Sequence, residues 1–486
     1  MKKYLLILFS IMVLAVLSSW SYKQSSSLSN IEQLGKSIFF DKISNPDNMA
    51  CADCHGPGVG FTGPDTAINN HGGVYFGAVT ERSGNRKPPS AAYATLAPIF
   101  HYDSVGGFFI GGNFWDGRAT GAHLGNPAAD QALGPPLNPV EMNNPDKQAV
   151  LMQIASSTYS DLWEKAFGEP LVYSTPVEID KNYNRVGLAI AAYEASSEVN
   201  AFTSKYDYYM KGQVSLTTQE LEGKGLFEGK GMCATCHMAP NFTDFTFENL
   251  GVPKNPENPF YHMDIVYLPD GSPINPLGNA YIDYGLGGFL QTVPEYASLA
   301  GENMGKLKIP TLRNADLRPV NDFTKAYMHN GVFKSLKEVV HFYNTRDDGS
   351  WPLPEVSENI NNTGNLGNLG LTDAEEDAII AFIKTLSDGY PLTSVPPAEA
   401  PREVSLNVMN PVTHASYVSF YLPVASHVRI GMFSSTGEKV TILAQGSYLE
   451  GNHKVTLSPE NFKPGLYILH MTASGQEIVK KIIIAQ

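Results

Sequence analysis

All four cysteines of this 486-residue chain fall in two copies of one pentapeptide, Cys51-Ala52-Asp53-Cys54-His55 and Cys233-Ala234-Thr235-Cys236-His237. Two thiols at this spacing, with an imidazole beside the second, can add across the vinyl groups of a haem and offer a nitrogen to its iron from a single turn. Cys-x-x-Cys also serves as a thiol–disulfide couple or as half of a zinc site, and the four sulfurs together make a conceivable zinc set. Neither alternative explains the histidine that follows in both copies. The spacing points to two covalent c-type haems, with His55 and His237 on iron, and so to redox chemistry.

Such turns need helices to present them. Ser29–Phe40, with Ile31, Leu34 and Ile38 on one face, predicts a short helix leading to the first motif, and Thr217–Phe227 predicts another leading to the second. Residues 56–145 are rich in Gly, Pro and Asn and read mostly as loop. Lys147–Phe167 and Val177–Met210 carry apolar residues at helical spacing (Val150 and Ile154; Leu188, Ala189 and Ala192). A capping signature, Thr372-Asp373-Ala374-Glu375, opens an amphipathic helix through Leu386 whose buried face is Ile379, Ile380, Phe382, Ile383 and Leu386. A helix, then the haem motif, then a long loop occurs twice. The expected fold is therefore mainly α, with two cytochrome c-like domains, residues 30–210 and 211–388, whose long loops wrap two c-type haems.

The ends read differently. Lys2-Lys3, an apolar run from Tyr4 to Leu17, and then Ser18 and Ser19 predict a cleaved signal peptide over residues 1–22, with no later segment suited to span a membrane. Residues 389–402 are Pro/Ala-rich and predict a linker. Beyond them Val404–Val408, Tyr417–Leu422, Val428–Phe433, Lys439–Leu443, His453–Leu457, Gly465–Thr472 and Ile478–Ile484 alternate apolar and polar residues, which predicts a small all-β sandwich over 403–486. This tail has no cysteine and no clustered His or carboxylates, so a targeting or binding role fits it better than catalysis. The length implies two or three domains. The net charge of −14 argues against nucleic acid or anionic membrane as partners, and suits a soluble basic electron donor.

Between and after the haem motifs the chain resembles the bacterial dihaem cytochrome c peroxidase family, which includes the MauG-like enzymes. The resemblance rests on Phe114-Trp115-Asp116-Gly117-Arg118-Ala119, Gln131-Ala132, Asn138-Pro139-Val140-Glu141-Met142, Ile309-Pro310-Thr311-Leu312-Arg313-Asn314 and Tyr327-Met328-His329-Asn330-Gly331, and covers about residues 30–388. The tail resembles the C-terminal sorting domain of the type IX secretion system of Bacteroidota, on Asn410-Pro411, Gly437, Gly451, Gly465-Leu466-Tyr467 and Lys480-Lys481. That likeness implies export to the periplasm or through the outer membrane to the cell surface, with the tail removed on the way.

The family resemblance also implies roles. His55 becomes the proximal ligand of the peroxidatic haem, Glu141 the distal acid–base group for hydrogen peroxide, and Gln131 a distal amide beside it. Trp115 lies between the haems. His71, sixteen residues after His55, is the candidate for a resting-state distal ligand, although alignment on Lys87-Pro88-Pro89 puts no histidine at the family's place. His237 becomes the proximal ligand of the electron-accepting haem. Its distal ligand in the peroxidases is a Met fourteen residues after the histidine of the aromatic-His-x-Gly motif. That count from His329 reaches Tyr343, as in MauG-like enzymes, with Met304 and Met328 as alternatives. Phenolate is harder than thioether sulfur and lowers the potential of the iron it binds. The resemblance implies an inter-domain calcium as well. Thr324 matches one contributor, but Lys87 stands where an Asn is usual and Ala326 where a Pro is usual.

Three functions follow as expectations. The first is an exported peroxidase fed with electrons by a small cytochrome or other donor. The second is a MauG-like peroxide-dependent oxidase of a protein or small molecule, and the third is a non-catalytic dihaem carrier. A homodimer is compatible with the sequence, which does not decide it.

Overall fold

The computed structural model describes residues 27–268, 270–392, 404–408, 412, 416–449, 451–473 and 475–484. The expected signal peptide and residues 393–402 of the expected linker lie outside them. The chain divides into two compact units, Met1–Pro391 and Leu392–Gln486.

In the larger unit, the helix Asn30–Phe40 begins with a capping box. Glu32 Oε2 accepts from the Ser29 backbone N–H (2.6 Å), and Ser29 Oγ accepts from that of Glu32 (3.4 Å). Leu34, Ile38 and Phe39 enter a core shared with Trp163, Tyr183, Val186 and Ile190. The helix crosses Pro176–Ala195 so closely that a Cβ on Gly35 would lie 1.8 Å from the Ala189 carbonyl oxygen. The second haem motif has the same support. Helix Thr218–Glu228, capped by Thr217 and Glu220, crosses Asp373–Lys384, and a Cβ on Gly223 would lie 1.8 Å from the Ala378 carbonyl oxygen. Phe227, Ile379, Phe382 and Leu386 fill that core.

Several boundaries differ from the sequence expectation. The periodic stretch 147–167 forms two helices, Lys147–Ser156 and Asp161–Phe167. The break falls at Ser156-Ser157-Thr158, where Ser157 Oγ donates to the Ile154 carbonyl (2.7 Å) and competes with helical bonding. The stretch 177–210 likewise divides into Pro176–Ala195 and Lys205–Met210, the latter started by Ser204, whose Oγ bonds Asp207. Residues 56–145 are mostly loop, with short helices Thr66–Asn70 and Pro127–Ala132 and a hairpin pairing His101–Asp103 with Phe108–Ile110. A helix that periodicity did not predict, Leu336–Thr345, carries Tyr343. Its capping box, Ser335 with Glu338, was a readable signal.

The smaller unit is two antiparallel sheets. One has the strand order Gln476–Ile484, Gly465–Ala473, Ser426–Ser434, Lys439–Tyr448; the other runs Ser405–Val408, Ser416–Leu422, Gly451–Leu457. Alternate residues of the strands, Val428, Ile430 and Met432 on one and Leu469, Met471 and Ala473 on its neighbour, make the core with Leu406, Val418 and Phe420.

Candidate functional site

Each Cys-x-x-Cys-His turn opens onto its own cavity. The first, about 1630 Å³, is lined by Cys51, Cys54 and His55; the second, about 1180 Å³, by Cys233, Cys236 and His237. The sulfurs of the two motifs are apart, and among the described residues no three His, Cys, Asp or Glu side chains gather as a metal cluster. A shared zinc is therefore excluded. Burial pushes the Cys51 and Cys233 thiols up to about 12, with Glu194 adding to the rise at Cys51, the opposite of what a thiol–disulfide couple needs.

The proximal frame is built twice from the same parts. His55 Nδ1 lies 3.1 Å from the Phe61 carbonyl, and His237 Nδ1 lies 3.0 Å from that of Phe242. A carbonyl at Nδ1 fixes the ring and reserves Nε2 for a metal. Burial lowers the pKa of both imidazoles and keeps them neutral, as ligation requires. Thr62 Oγ1 donates to the Pro88 carbonyl (2.6 Å), and Thr243 Oγ1 to that of Ile309 (2.6 Å). Ser90 Oγ donates to Gly60 O (2.7 Å), and Thr311 Oγ1 to Asn241 O (2.6 Å). Phe-Thr followed by Lys-x-Pro-Ser/Thr thus cradles each histidine. The donor sets fit a c-type haem in both cavities.

Beyond the proximal frames the cavities diverge. Gln131, at the end of the short helix Pro127–Ala132, and Glu141 both line the first. Burial raises the Glu141 pKa, against the Arg118 charge and the Asn138 side chain, which lower it. Two lining residues escaped the sequence reading. Tyr75 is buried and accepts the Asp65 backbone N–H at its hydroxyl (2.7 Å). Glu194 is 5% exposed, and burial pushes its carboxyl up to about 8. A lone carboxylate within Ala191-Ala192-Tyr193-Glu194-Ala195 was the signal for it. His71 does not line this cavity; it is exposed at the end of Thr66–Asn70, with its carbonyl bonded by Lys334 Nζ.

The second cavity receives Tyr343 and Met328, but not Met304, which packs beside Leu286 and Leu290. Burial raises the Tyr343 phenol above its usual range, so a phenolate there needs a facing cation. His329 and Glu355 line the same space, with His329 Nε2 3.8 Å from Glu355 Oε2.

Trp115 borders both cavities, as does Lys308. Its indole Nε1 donates to the Lys87 carbonyl (2.9 Å), and its own carbonyl accepts from the Lys308 backbone N–H (2.7 Å). Those lysines are the equivalent residues of the two cradles, so the tryptophan is fixed symmetrically between them. Next to it Asp116 accepts from Arg86 (2.6 Å), which also pairs with Asp283 of the second half (2.6 Å).

A family model described as di-haem cytochrome c peroxidase matches residues 29–215, and one described as a secretion system C-terminal sorting domain matches 410–485. The methylamine utilization protein MauG of Paracoccus denitrificans is 32% identical over 73% of this chain and 88% of its own length. Cytochrome-c peroxidase IdrP2 of Denitromonas iodatirespirans is 30% identical over 75% of this chain and 83% of its own. The solved diheme peroxidase BthA of Burkholderia thailandensis superposes with a TM-score of 0.60 at 27% identity, covering 77% of this chain and 90% of that one.

Proposed function

This chain belongs to the di-haem cytochrome c peroxidase family, which also holds MauG-like oxidases, and on that premise we propose that it is an exported peroxidase reducing hydrogen peroxide to water in the Gln131–Glu141 cavity. Membership makes it an oxidoreductase with two c-type haems. Cys51, Cys54 and His55 would hold one, Cys233, Cys236 and His237 the other. Bound there, the haems supply electron storage and the iron at which peroxide is reduced, the second feeding the first.

The chain's own residues handle the protons. A Glu141 carboxylate oxygen takes the proton of the near peroxide oxygen and returns it to the departing one, so that two electrons and two further protons yield two waters. Burial raises its pKa, which makes the carboxylate a better base toward the peroxide proton than a solvated one would be. The Gln131 side-chain amide donates to the bound oxygen and orients it. Trp115, hydrogen-bonded from both cradles, keeps one conformation between the cavities and serves electron passage. The sorting domain marks export by the type IX route, and delivery to the cell surface with loss of the tail completes the reading. A small cytochrome or similar donor supplies the electrons.

The observation that carries this reading is the polar pair Gln131 and Glu141 in the first cavity, for which a pure electron carrier has no use. Steady-state peroxide turnover of Glu141→Gln holoprotein tests it: turnover collapses while haem content and spectra stay. Retained turnover refutes it.

The second reading, a MauG-like oxidase, draws on Tyr343 in the second cavity. Low-temperature EPR and near-infrared spectra of wild type and Tyr343→Phe decide it. A low-spin His/Tyr signature lost in the variant favours the oxidase. A His/Met charge-transfer band that survives the substitution favours the peroxidase with a cytochrome donor.

A further inference from the structure

Where the two haem-bearing halves meet, a buried lysine does what a bound ion would otherwise do. Lys325 is 4% exposed, and its Nζ lies 2.8 Å from Val59 O, 2.8 Å from Asn314 O and 3.0 Å from Leu317 O. Val59 follows the first haem motif, whereas Asn314 and Leu317 follow the second, so one nitrogen ties backbone from both halves. Three carbonyls need three N–H donors, and only the protonated amine has them. Burial and the charge of nearby Lys87 push the Lys325 pKa down, and Asp316 opposes them. Removing the ammonium would take the donor from the Val59 and Leu317 carbonyls and leave Asn314 O with only the Leu317 backbone N–H.

Lys87 stands beside it, 8% exposed, with its Nζ donating to Thr62 Oγ1 (2.8 Å) and to Pro88 O (3.0 Å). On the other flank Asn69 is buried, and its Nδ2 donates to Thr324 O (3.0 Å) and to Gly63 O (3.0 Å). Each of these bonds uses an oxygen that a hard cation would want.

The donor set therefore does not fit calcium, which takes six to eight oxygens. The Thr324 carbonyl already accepts from an amide, Lys87 occupies the place of an asparagine, and the Lys87 and Lys325 amines fill the seam with donors where a divalent ion needs acceptors. We propose that this join binds no calcium and is closed by the chain itself, with the Lys325 ammonium bridging carbonyls of both halves and Lys87 and Asn69 completing the seam. The register of the two haem cavities is then independent of free calcium, because a tethered cation cannot dissociate.

The test is thermal melting of the full-length holoprotein, followed at the haem Soret band, in millimolar EGTA or millimolar calcium chloride. An ion that binds the folded state raises the midpoint by mass action. The expected result is one midpoint in both buffers; a higher midpoint in calcium overturns the proposal. Lys325→Met keeps the side chain's bulk and removes the donors, and its midpoint should fall by several degrees in either buffer. An unchanged midpoint for that variant also overturns it. The wild-type comparison stands alone if the variant yields no holoprotein, and neither readout depends on peroxide turnover.

Discussion

The two haem-bearing halves share one proximal design and part company on the distal side. In each, a capped helix crosses a second helix at a glycine against an alanine carbonyl, Gly35 on Ala189 and Gly223 on Ala378. In each, a phenylalanine carbonyl holds the histidine Nδ1 and a threonine hydroxyl ties down the Lys-x-Pro strand. Five residues beyond those alanines, however, the first half has Glu194 and the second Ile383. The first cavity gains Gln131 and Glu141, the second Tyr343 and Met328. Holding a haem is thus a duplicated, backbone-dominated task, and what the haem is for is set by the few side chains that were not duplicated.

The largest expected effect bears on that asymmetry. Glu141→Gln should lower kcat for peroxide by about 10²–10⁴-fold, the usual contribution of a positioned acid–base group, and a loss below tenfold would return Glu141 to the role of an ordinary wall residue.

Glu194 predicts a pH dependence belonging to the first half alone. Folded, its carboxyl holds a proton up to about 8, and the unfolded chain releases it at 4.5. The folded state therefore binds more protons between those values, and stability falls as pH rises through that window, by at most about 1.4 kcal/mol per pH unit. Denaturant midpoints across this range should show the slope in wild type and a flatter one in Glu194→Gln. An equal slope in both would assign the effect elsewhere.

The shared features should respond alike in the two halves. Gly35→Ala and Gly223→Ala each place a Cβ on a carbonyl oxygen, and the overpacking of about 1–3 kcal/mol outweighs the ~1 kcal/mol that alanine gains in a helix. Chemical denaturation should find both destabilised. If one were neutral, the two crossings would not be equivalent. Thr62→Val and Thr243→Val each remove one donated and one accepted hydrogen bond, at about 1 kcal/mol per bond. Unequal losses, read from the same denaturation curves, would show that one cradle is held by other means.

Legibility in the sequence followed the range of the physics involved. The haem turns, the capped helices and the alternating strands of the tail were readable, because covalent attachment, capping and periodicity act over a few residues. The break at Ser157 was missed because one serine hydroxyl bond there outcompetes an otherwise helical pattern, and the break at Ser196, where the backbone turns extended (ψ 163°), carries no such local bond. The helix Leu336–Thr345 went unseen although Ser335 and Glu338 announced it.

By itself, then, the sequence determined that two c-type haems are attached, that two similar helical modules carry them, and that an all-β sorting domain follows. Only the tertiary structure decided which polar groups meet across long separations. It sets Glu194 against the first cavity, leaves His71 exposed, and pins Trp115 between Lys87 and Lys308. It also brings the Lys325 ammonium to a carbonyl of the other half. A lysine in a sequence reads as solvated charge, and its burial becomes visible only when distant backbone oxygens converge on it, since that convergence is what makes burying the charge tolerable.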